Sequence, residues 1–305
     1  MTVVLPAGIA VLERGWLSSN NVLLHGGPDE GAVLIDSGHC LHAAQTLALV
    51  TQALAGAPLA RIVNTHLHSD HCGGNASLQR ALGAEITVPR ASWDTVQAWD
   101  EDALSYRATG QRCERFSAQS SLASGEVLQV GGRRWQALAA PGHDPQSLML
   151  FDDRDGVLVS ADALWENGFG VVFPELDGVD AFDEVAAVLD LIERLPVRVV
   201  LPGHGAPFDD VAGALSRARS RLAGFRADPL RHARHGAKVL LKYHLMEQRA
   251  QDWPGLLAWA EGTRLFAGIA RQLGWADAST GCKHLVAELA RQGALRVDGA
   301  GVHDV

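Results

Sequence analysis

Cysteine is scarce in this chain. Four thiols, at positions 40, 72, 113 and 282, are spread over 305 residues and form no C-x-x-C pair. Such spacing excludes a disulfide framework and points to reduced thiols in a cytoplasmic protein. Long apolar runs are missing too. No stretch of ~18 apolar residues escapes a polar break, so no membrane helix is expected. Met1–Gly8 holds neither Lys nor Arg and no extended apolar segment, so no secretory leader is expected there. Glycine, at 32 residues, follows no collagen-like period, and no internal repeat is visible. Positive charge is the minority sign, with 26 Lys and Arg against 35 Asp and Glu, net −9. An acidic chain has no overall pull towards nucleic acid or anionic lipid, so neither is an expected partner.

What is present is a sizeable core. Hydrophobic residues make up 47% and charged residues 20%, which excludes disorder as the main state. Short runs rich in Val, Ile and Leu predict strands at Ala32–Ile35, Arg61–Asn64, Glu85–Val88, Trp135–Ala139, Leu148–Phe151, Val157–Ser160 and Arg198–Leu201. Helical periodicity lies between some of them, at Leu41–Ala55, Asn75–Leu82 and Asp180–Leu195, the last stopped by Pro196. Strict β-α alternation is absent, which favours a layered α+β or α/β/α arrangement over a doubly wound sheet. Beyond Pro207 the texture turns helical, with helices expected at Asp210–Arg226, Gly236–Gln251, Thr263–Leu273 and Thr280–Gln292 and one strand at Leu295–Val297. Charge shifts as well: residues 231–305 carry ten basic and seven acidic side chains, the remainder 16 and 28. A domain boundary is expected near Asp228–Pro229, dividing the chain into 1–228 and 229–305.

The chain holds 13 histidines, and the run Thr65-His66-Leu67-His68-Ser69-Asp70-His71-Cys72-Gly73-Gly74 is where they concentrate. It follows an expected strand and precedes an expected helix. Four metal-competent side chains in six residues can converge within a few ångströms, and imidazole with carboxylate suits zinc, manganese or iron. Three more candidates recur where strands stop beside small residues: His143 in Pro141-Gly142-His143-Asp144, Asp162 in Ser160-Ala161-Asp162-Ala163, and His204 in Pro202-Gly203-His204-Gly205. Together they supply five histidines and two aspartates, enough for two metals.

In this order, H-x-H-x-D-H followed by His, Asp and His, the chain resembles the metallo-β-lactamase superfamily of hydrolases over roughly Gly8 to Arg226. Asn20–Leu24 and Val33–Gly38 are similar to that family's opening strands. The resemblance implies a four-layer αββα sandwich of the α/β (α+β) class with metals at one edge of the two sheets. It further implies that His66, His68 and His143 hold one ion, that Asp70, His71 and His204 hold the other, and that Asp162 bridges both. Zinc is the expected pair of ions, with manganese or iron as alternatives. Such a pair shares an acidified water as hydroxide and polarises the substrate oxygen. Asp70 is the implied proton carrier to the leaving group. An aspartate at 162 sets the chain apart from true β-lactamases and nearer the thioesterase, lactonase and phosphodiesterase branches.

The expected function is therefore a binuclear metal-dependent hydrolase of a small ester-like molecule, a thioester or a lactone. A phosphodiesterase or ribonuclease on the same metals, or an iron-dependent oxidoreductase, is the alternative. Asp36 is either a carboxylate that orients a ligand histidine or a turn-forming aspartate before Gly38. Cys72 reads as packing. His39 and His42 read as surface or capping residues, and His232, His235 and His244 as solvated. Ala91–Ser121, with Trp93, Trp99, Tyr106 and Phe116, is a lid over the metals or ordinary core. Phe169–Phe173 is a second candidate wall. Lys238–Tyr243 loosely echoes the basic and tyrosine residues with which the family's hydroxyacylglutathione hydrolases bind glutathione. The segment from Leu265 to Leu295 is similar to a winged-helix-like tail. Its apolar faces must bury against each other, the core or a second subunit, so a homodimer is one expected arrangement. Nucleic-acid binding by its last helix, which offers only Lys283, His284 and Arg291, is not the expected role.

Overall fold

The computed structural model describes residues 3–27 and 29–305. Met1 and Thr2, part of the segment read for a leader, lie outside them. Six strands line up side by side in chain order: β1 (Ile9–Leu12), β2 (Asn21–Leu24), β3 (Ala32–Ile35), β4 (Leu59–Val63), β5 (Glu85–Pro89) and β6 (Ser120–Leu122). The first three form an antiparallel meander, and β3 to β6 are parallel. Parallel neighbours need crossovers. These carry α1 (Ala43–Leu54), then α2 (Ser69–Cys72) and α3 (Asn75–Leu82), then α4 (Trp93–Ala98) and α5 (Tyr106–Thr109). A second sheet holds β7 (Val127–Val130), β8 (Arg133–Ala139), β9 (Leu148–Asp152), β10 (Val157–Ala161) and β11 (Val199–Pro202), in the order β11-β10-β9-β8-β7. Its one parallel pair, β10 with β11, is spanned by α6 (Phe173–Leu176) and α7 (Phe182–Arg194).

Period-2 alternation divides the strand residues between two faces. Val22, Leu24, Val33, Ile35 and Val63 share the inter-sheet core with Trp135, Ala137, Leu148, Leu150 and Val159. Their alternates Leu23, Leu34, Ile62 and Ile86 pack with Val50, Leu54 and Leu78 of the helices. On the other side Met149, Phe151, Leu158 and Val200 meet Val185, Leu189 and Ile192 of α7 and Leu215 and Leu222 of α8 (Val211–Ala227). The result is the expected αββα sandwich. α7 begins with Asp183 and Glu184, which suit the helix N-terminus, and stops before Pro196.

Asp228 ends α8 and caps α9 (Pro229–Gln248) by accepting from the Arg231 N–H, with Pro229 in the first turn. We place the division between 1–228 and 229–305 at this cap. The helix was expected only from Gly236, because the polar run Arg231–His235 hides its first two turns. Then come β12 (Ala250–Gln251), α10 (Trp253–Gly262), α11 (Arg264–Gln272), α12 (Ala278–Arg291), β13 (Leu295–Asp298) and β14 (Gly301–Asp304), with the strands in the order β12-β14-β13. Sequence reading found only one of these strands and missed α10, whose apolar residues Leu256 to Ala260 run together without period. Leu241, Leu256, Phe266, Ile269, Leu285 and Val302 form a core of their own, completed by Val171 and Leu176 of the sandwich. The apolar faces of α11 and α12, which needed a core or a second subunit to bury them, are thus covered within the chain. Among the described residues no helix is long and apolar enough to cross a membrane.

Candidate metal centre

Every proposed ligand follows the end of a strand at one edge of the sandwich: His66 to His71 after β4, His143 after β8, Asp162 after β10 and His204 after β11. The structure brings all seven together, each buried. His66 Nε2 lies 3.1 Å from His68 Nδ1, which lies 2.8 Å from His143 Nε2. Asp70 Oδ2 is 3.0 Å from His204 Nε2 and 3.7 Å from His71 Nε2. Asp162 stands between these sets. Its Oδ2 is 3.4 Å from His143 Nε2, and its Oδ1 is 3.4 Å from His71 Nε2 and 3.9 Å from His204 Nε2. His66, His68 and His143 present ligand atoms within 4.8 Å of one another, as do Asp70, His71 and His204, and as do His66, His71 and Asp162.

The donor set fits divalent ions. His143 Nδ1 donates to the Val171 carbonyl at 2.6 Å, which leaves Nε2 as a bare lone pair aimed at the neighbouring imidazoles. His71 Nε2 is buried with no hydrogen-bond partner among the described residues. Nitrogen lone pairs that face one another across a carboxylate are unfavourable without a cation between them. These buried His/Asp clusters suit a binuclear site.

Asp36 resolves into the orienting role. Its Oδ2 accepts from His71 Nδ1 at 2.7 Å and from Thr65 Oγ1 at 2.8 Å, and Oδ1 accepts from the Thr65 N–H at 2.9 Å. It does this from the left-handed region, at φ 58°, where aspartate is tolerated better than most residues. Two glycines let backbone crowd the ligands. A Cβ on Gly203 would stand 2.3 Å from Asp162 Oδ1, and one on Gly170 2.5 Å from His143 Nδ1.

Burial, then the neighbouring imidazoles, holds His66 well below its ordinary pKa. Burial likewise leads in lowering His68 and His143, both to about 4, so all three are neutral ligands. Burial opposes charge on His71 as well, but Asp162, Asp36 and Asp70 outweigh it and raise that imidazole well above its usual range. For Asp70 burial favours protonation, and His71 and His204 overcome it, bringing the carboxyl to about 2.

Several residues are not where the sequence reading put them. His39 is fully buried and not a surface residue. It sits at the N-cap of its turn, as the capping reading expected, with Nδ1 3.3 Å from the Leu41 nitrogen, and its Nε2 meets Glu247 of α9 at 2.9 Å. His42 is half-buried against Ser18. His232 and His244 are buried as well, the first accepting from the Val172 N–H, the second stacked on Trp259. His235 is half-buried beside Arg221. Specific partners claim these rings: Glu247 for His39, the Val172 N–H for His232, Arg221 for His235 and Trp259 for His244. Cys72 is packing: it is buried, bonded to the Leu67 carbonyl and 3.7 Å from Cys113 Sγ. Trp93, Trp99, Tyr106 and Phe116 pack in the outer core of the first sheet, so they form core and no lid.

The aromatic walls come from elsewhere. A cavity of about 570 Å³ contains His68, Asp70, His143, Asp162 and His204, with Trp16, Trp165, Phe173, Val239, Met246 and Leu289 among its apolar lining. Phe173 and Val171 form part of the wall expected from Phe169–Phe173, whereas Phe169 is buried in the core. Trp16, 61% exposed, stacks on the His204 ring at 5.3 Å. Trp165 Nε1 donates to Asp162 Oδ1 at 3.2 Å. The helix α9 adds Lys238, Lys242 and Tyr243, whose hydroxyl lies 2.7 Å from Ser69 Oγ at the start of α2. Lone tryptophans carry no sequence signal of a shared cavity, whereas Lys238–Tyr243, the segment that loosely echoes a glutathione-binding one, does line it.

This fold and donor set define a metallohydrolase of one family. The chain belongs to the Metallo-beta-lactamase superfamily, whose profile matches residues 14–204, the span that carries all seven proposed ligands. Among curated relatives it is 28% identical over 153 residues to the Acyl-coenzyme A thioesterase MBLAC2 of Homo sapiens, covering 47% of this chain and 54% of that protein. It thus spans about half the length of that relative. It is 29% identical over 212 residues to a Hydroxyacylglutathione hydrolase of Anaeromyxobacter dehalogenans, covering 67% and 71%. A metallo-beta-lactamase family protein from Thermus thermophilus matches in fold along 98% of this chain and 99% of its own, with a TM-score of 0.58 at 21% identity. TTHA1623 in a di-iron-bound form aligns with a TM-score of 0.54 at 27% identity, covering 68% of this chain and 98% of its own.

Proposed function

We propose that this protein hydrolyses acyl thioesters at a pair of divalent ions, zinc being the expected metal. His66, His68 and His143 would hold one ion and Asp70, His71 and His204 the other, with Asp162 shared. The observation that carries the reading is the placement of this ligand set at the floor of a mainly apolar cavity, sized for a small acylated molecule. The naming of relatives as an acyl-coenzyme A thioesterase and as hydroxyacylglutathione hydrolases supports the thioester over the lactone.

Divalent ions held here would supply Lewis acidity and a water acidified towards neutrality. The protein does the rest. Asp36 and the Val171 carbonyl fix the ring orientations of His71 and His143. Trp16, Phe173 and Leu289 exclude water around the acyl group. Tyr243, kept protonated by burial, offers a hydroxyl to the cavity beside Ser69. Asp70 faces the cavity and is placed to move the proton released at the attacked carbonyl towards the departing thiolate.

The test is metal analysis of protein purified without added metal, followed by matched panels of thioesters, lactones and phosphodiesters. Two ions per chain and turnover of thioesters is the expected result. A preference for lactones or phosphodiesters would overturn the substrate assignment, and a chain that fills only one site on titration would overturn the shared role of Asp162.

A further inference from the structure

The cavity continues past the metal ligands to a basic end. There its wall is made by Arg221 of α8 and by His235 and Lys238 of α9. Two more clefts open onto the same Arg221. One is lined by Ser216, Arg217, Ser220 and Arg231, the other by Phe225, Arg231, Arg234, His235 and Lys238. One guanidinium is therefore common to three concavities, and only one of them reaches the metal ligands.

The charges around it are unevenly compensated. Arg217 pairs with Asp210, Arg234 and Lys238 both pair with Glu288, and Lys242 pairs with Asp304. Among the described residues no carboxylate pairs with Arg221 or Arg231. Arg221 is half-buried, with its guanidinium over the rings of Phe169 and Phe225 at 5.5 and 5.4 Å, and it donates to His235 Nε2 at 2.7 Å. Aromatic rings and a ring nitrogen thus hold this cation in one orientation without neutralising it. A half-buried charge facing a second like charge is costly until an anion joins them. Two guanidiniums, each with a planar fork of donors, match a phosphate better than a single carboxylate, and the exposed hydroxyls of Ser216 and Ser220 add donors on the outer side.

We propose that Arg221 and Arg231 bind a phosphate on the thiol half of the substrate, so that the substrate class is an acyl thioester of a phosphorylated carrier. This rests on the thioester reading above. A peptide thiol, whose only anions are carboxylates, is the less suited class. The apolar walls near the metals take the acyl group, and the carrier extends along α9 to the basic clefts.

Two thioesters with the same acyl group, one on 4′-phosphopantetheine and one on pantetheine, test this on the metal-loaded full chain. The wild type should show a KM about tenfold lower for the phosphorylated form. Arg231→Gln, an exposed position that should fold normally, should remove most of that preference with kcat within about twofold. Arg221→Gln should do the same, with its packing over Phe169 as the structural risk. Equal KM for the two thioesters, or an Arg231→Gln effect that is the same on both, would overturn the proposal. Calorimetry with the free thiols 4′-phosphopantetheine and pantetheine separates it from the thioester reading. Discrimination lost in Arg231→Gln supports the phosphate site even where neither thioester is hydrolysed, a result that counts against hydrolysis alone. No discrimination between the two thiols rejects the site.

Discussion

The two ends of the cavity are built by opposite means. At the metal end, seven polar side chains sit in four short segments that follow strands, the first of them running into α2, and each is recognisable from its neighbours in the chain. At the other end, the wall is assembled from α8, α9 and α12, with Arg221, Lys238, Tyr243 and Leu289 drawn from helices that also have cores to fill. The difference teaches that the chemistry is local in sequence and the recognition is not. Metal ligands cluster because a rigid strand end is the surest way to hold geometry. A wall needs only approximate shape, so its residues are ordinary helix-surface residues until the fold brings them together.

If that division holds, damage at the metal end should be far larger and should change metal content. Asp162→Asn should bring bound metal down to one ion or fewer and lower turnover on the order of a thousandfold, because one substitution weakens both sets. Two ions retained in that variant would break the comparison. Asp70→Asn should cost more than ~100-fold in turnover while the ion at His66, His68 and His143 stays bound. Near wild-type turnover would remove Asp70 from the mechanism.

At the recognition end, Tyr243→Phe keeps the ring and loses the hydroxyl that meets Ser69. Its expected effect is a KM higher by about tenfold with both metals in place. Loss of metal would show that α9 supports the ligand helix and is more than a wall.

His39 and Glu247 join the two regions through a pair whose side chains are 0% and 1% exposed. Burial works against the His39 charge, but hydrogen bonds with Cys40 and Glu247 outweigh it and raise its pKa from 6.5 to about 9. A raised folded-state pKa gives stability that is complete below about pH 6.5 and is lost as pH rises through about 9. Glu247→Gln should therefore lower the melting temperature by several degrees near pH 6, and the gap to wild type should narrow above pH 9. A gap constant with pH would show that the pair is not charged. The smallest effect is expected at Phe116, which the structure places in the outer core. Phe116→Leu should cost about 1 kcal/mol of stability and leave KM unchanged. A changed KM would restore this segment as a lid.

Strands such as Ala32–Ile35 and the helix Asn75–Leu82 were legible to the residue, because a short unbroken apolar run marks a strand buried on both faces and helical period marks a half-buried helix. Edge strands β1, β6 and β7 were not read, being only three or four residues long, with polar residues in β6 and β7. Asp36 was legible as a candidate and ambiguous in role, since a turn and a hydrogen bond to a ligand histidine ask for the same residue. His232 and His244 were misread as solvated, and the burial of His39, read as surface or capping, was not foreseen, because burial of a histidine is decided by its partner. Glu247 lies 208 positions from His39 and has no local signature.

By itself the sequence determined the order of the His and Asp candidates, the layered class of the fold and the lack of any long apolar span. These depend on residue type and on neighbours within a few positions, which the covalent chain sets directly. Only the tertiary structure decided that Asp162 lies between two sets of imidazoles, that Tyr243 reaches α2, and that Arg221 stands uncompensated where three clefts meet. Each of those depends on side chains far apart in the chain being packed to within a few ångströms, and hydrophobic burial, which brings them there, has no direction of its own in the sequence.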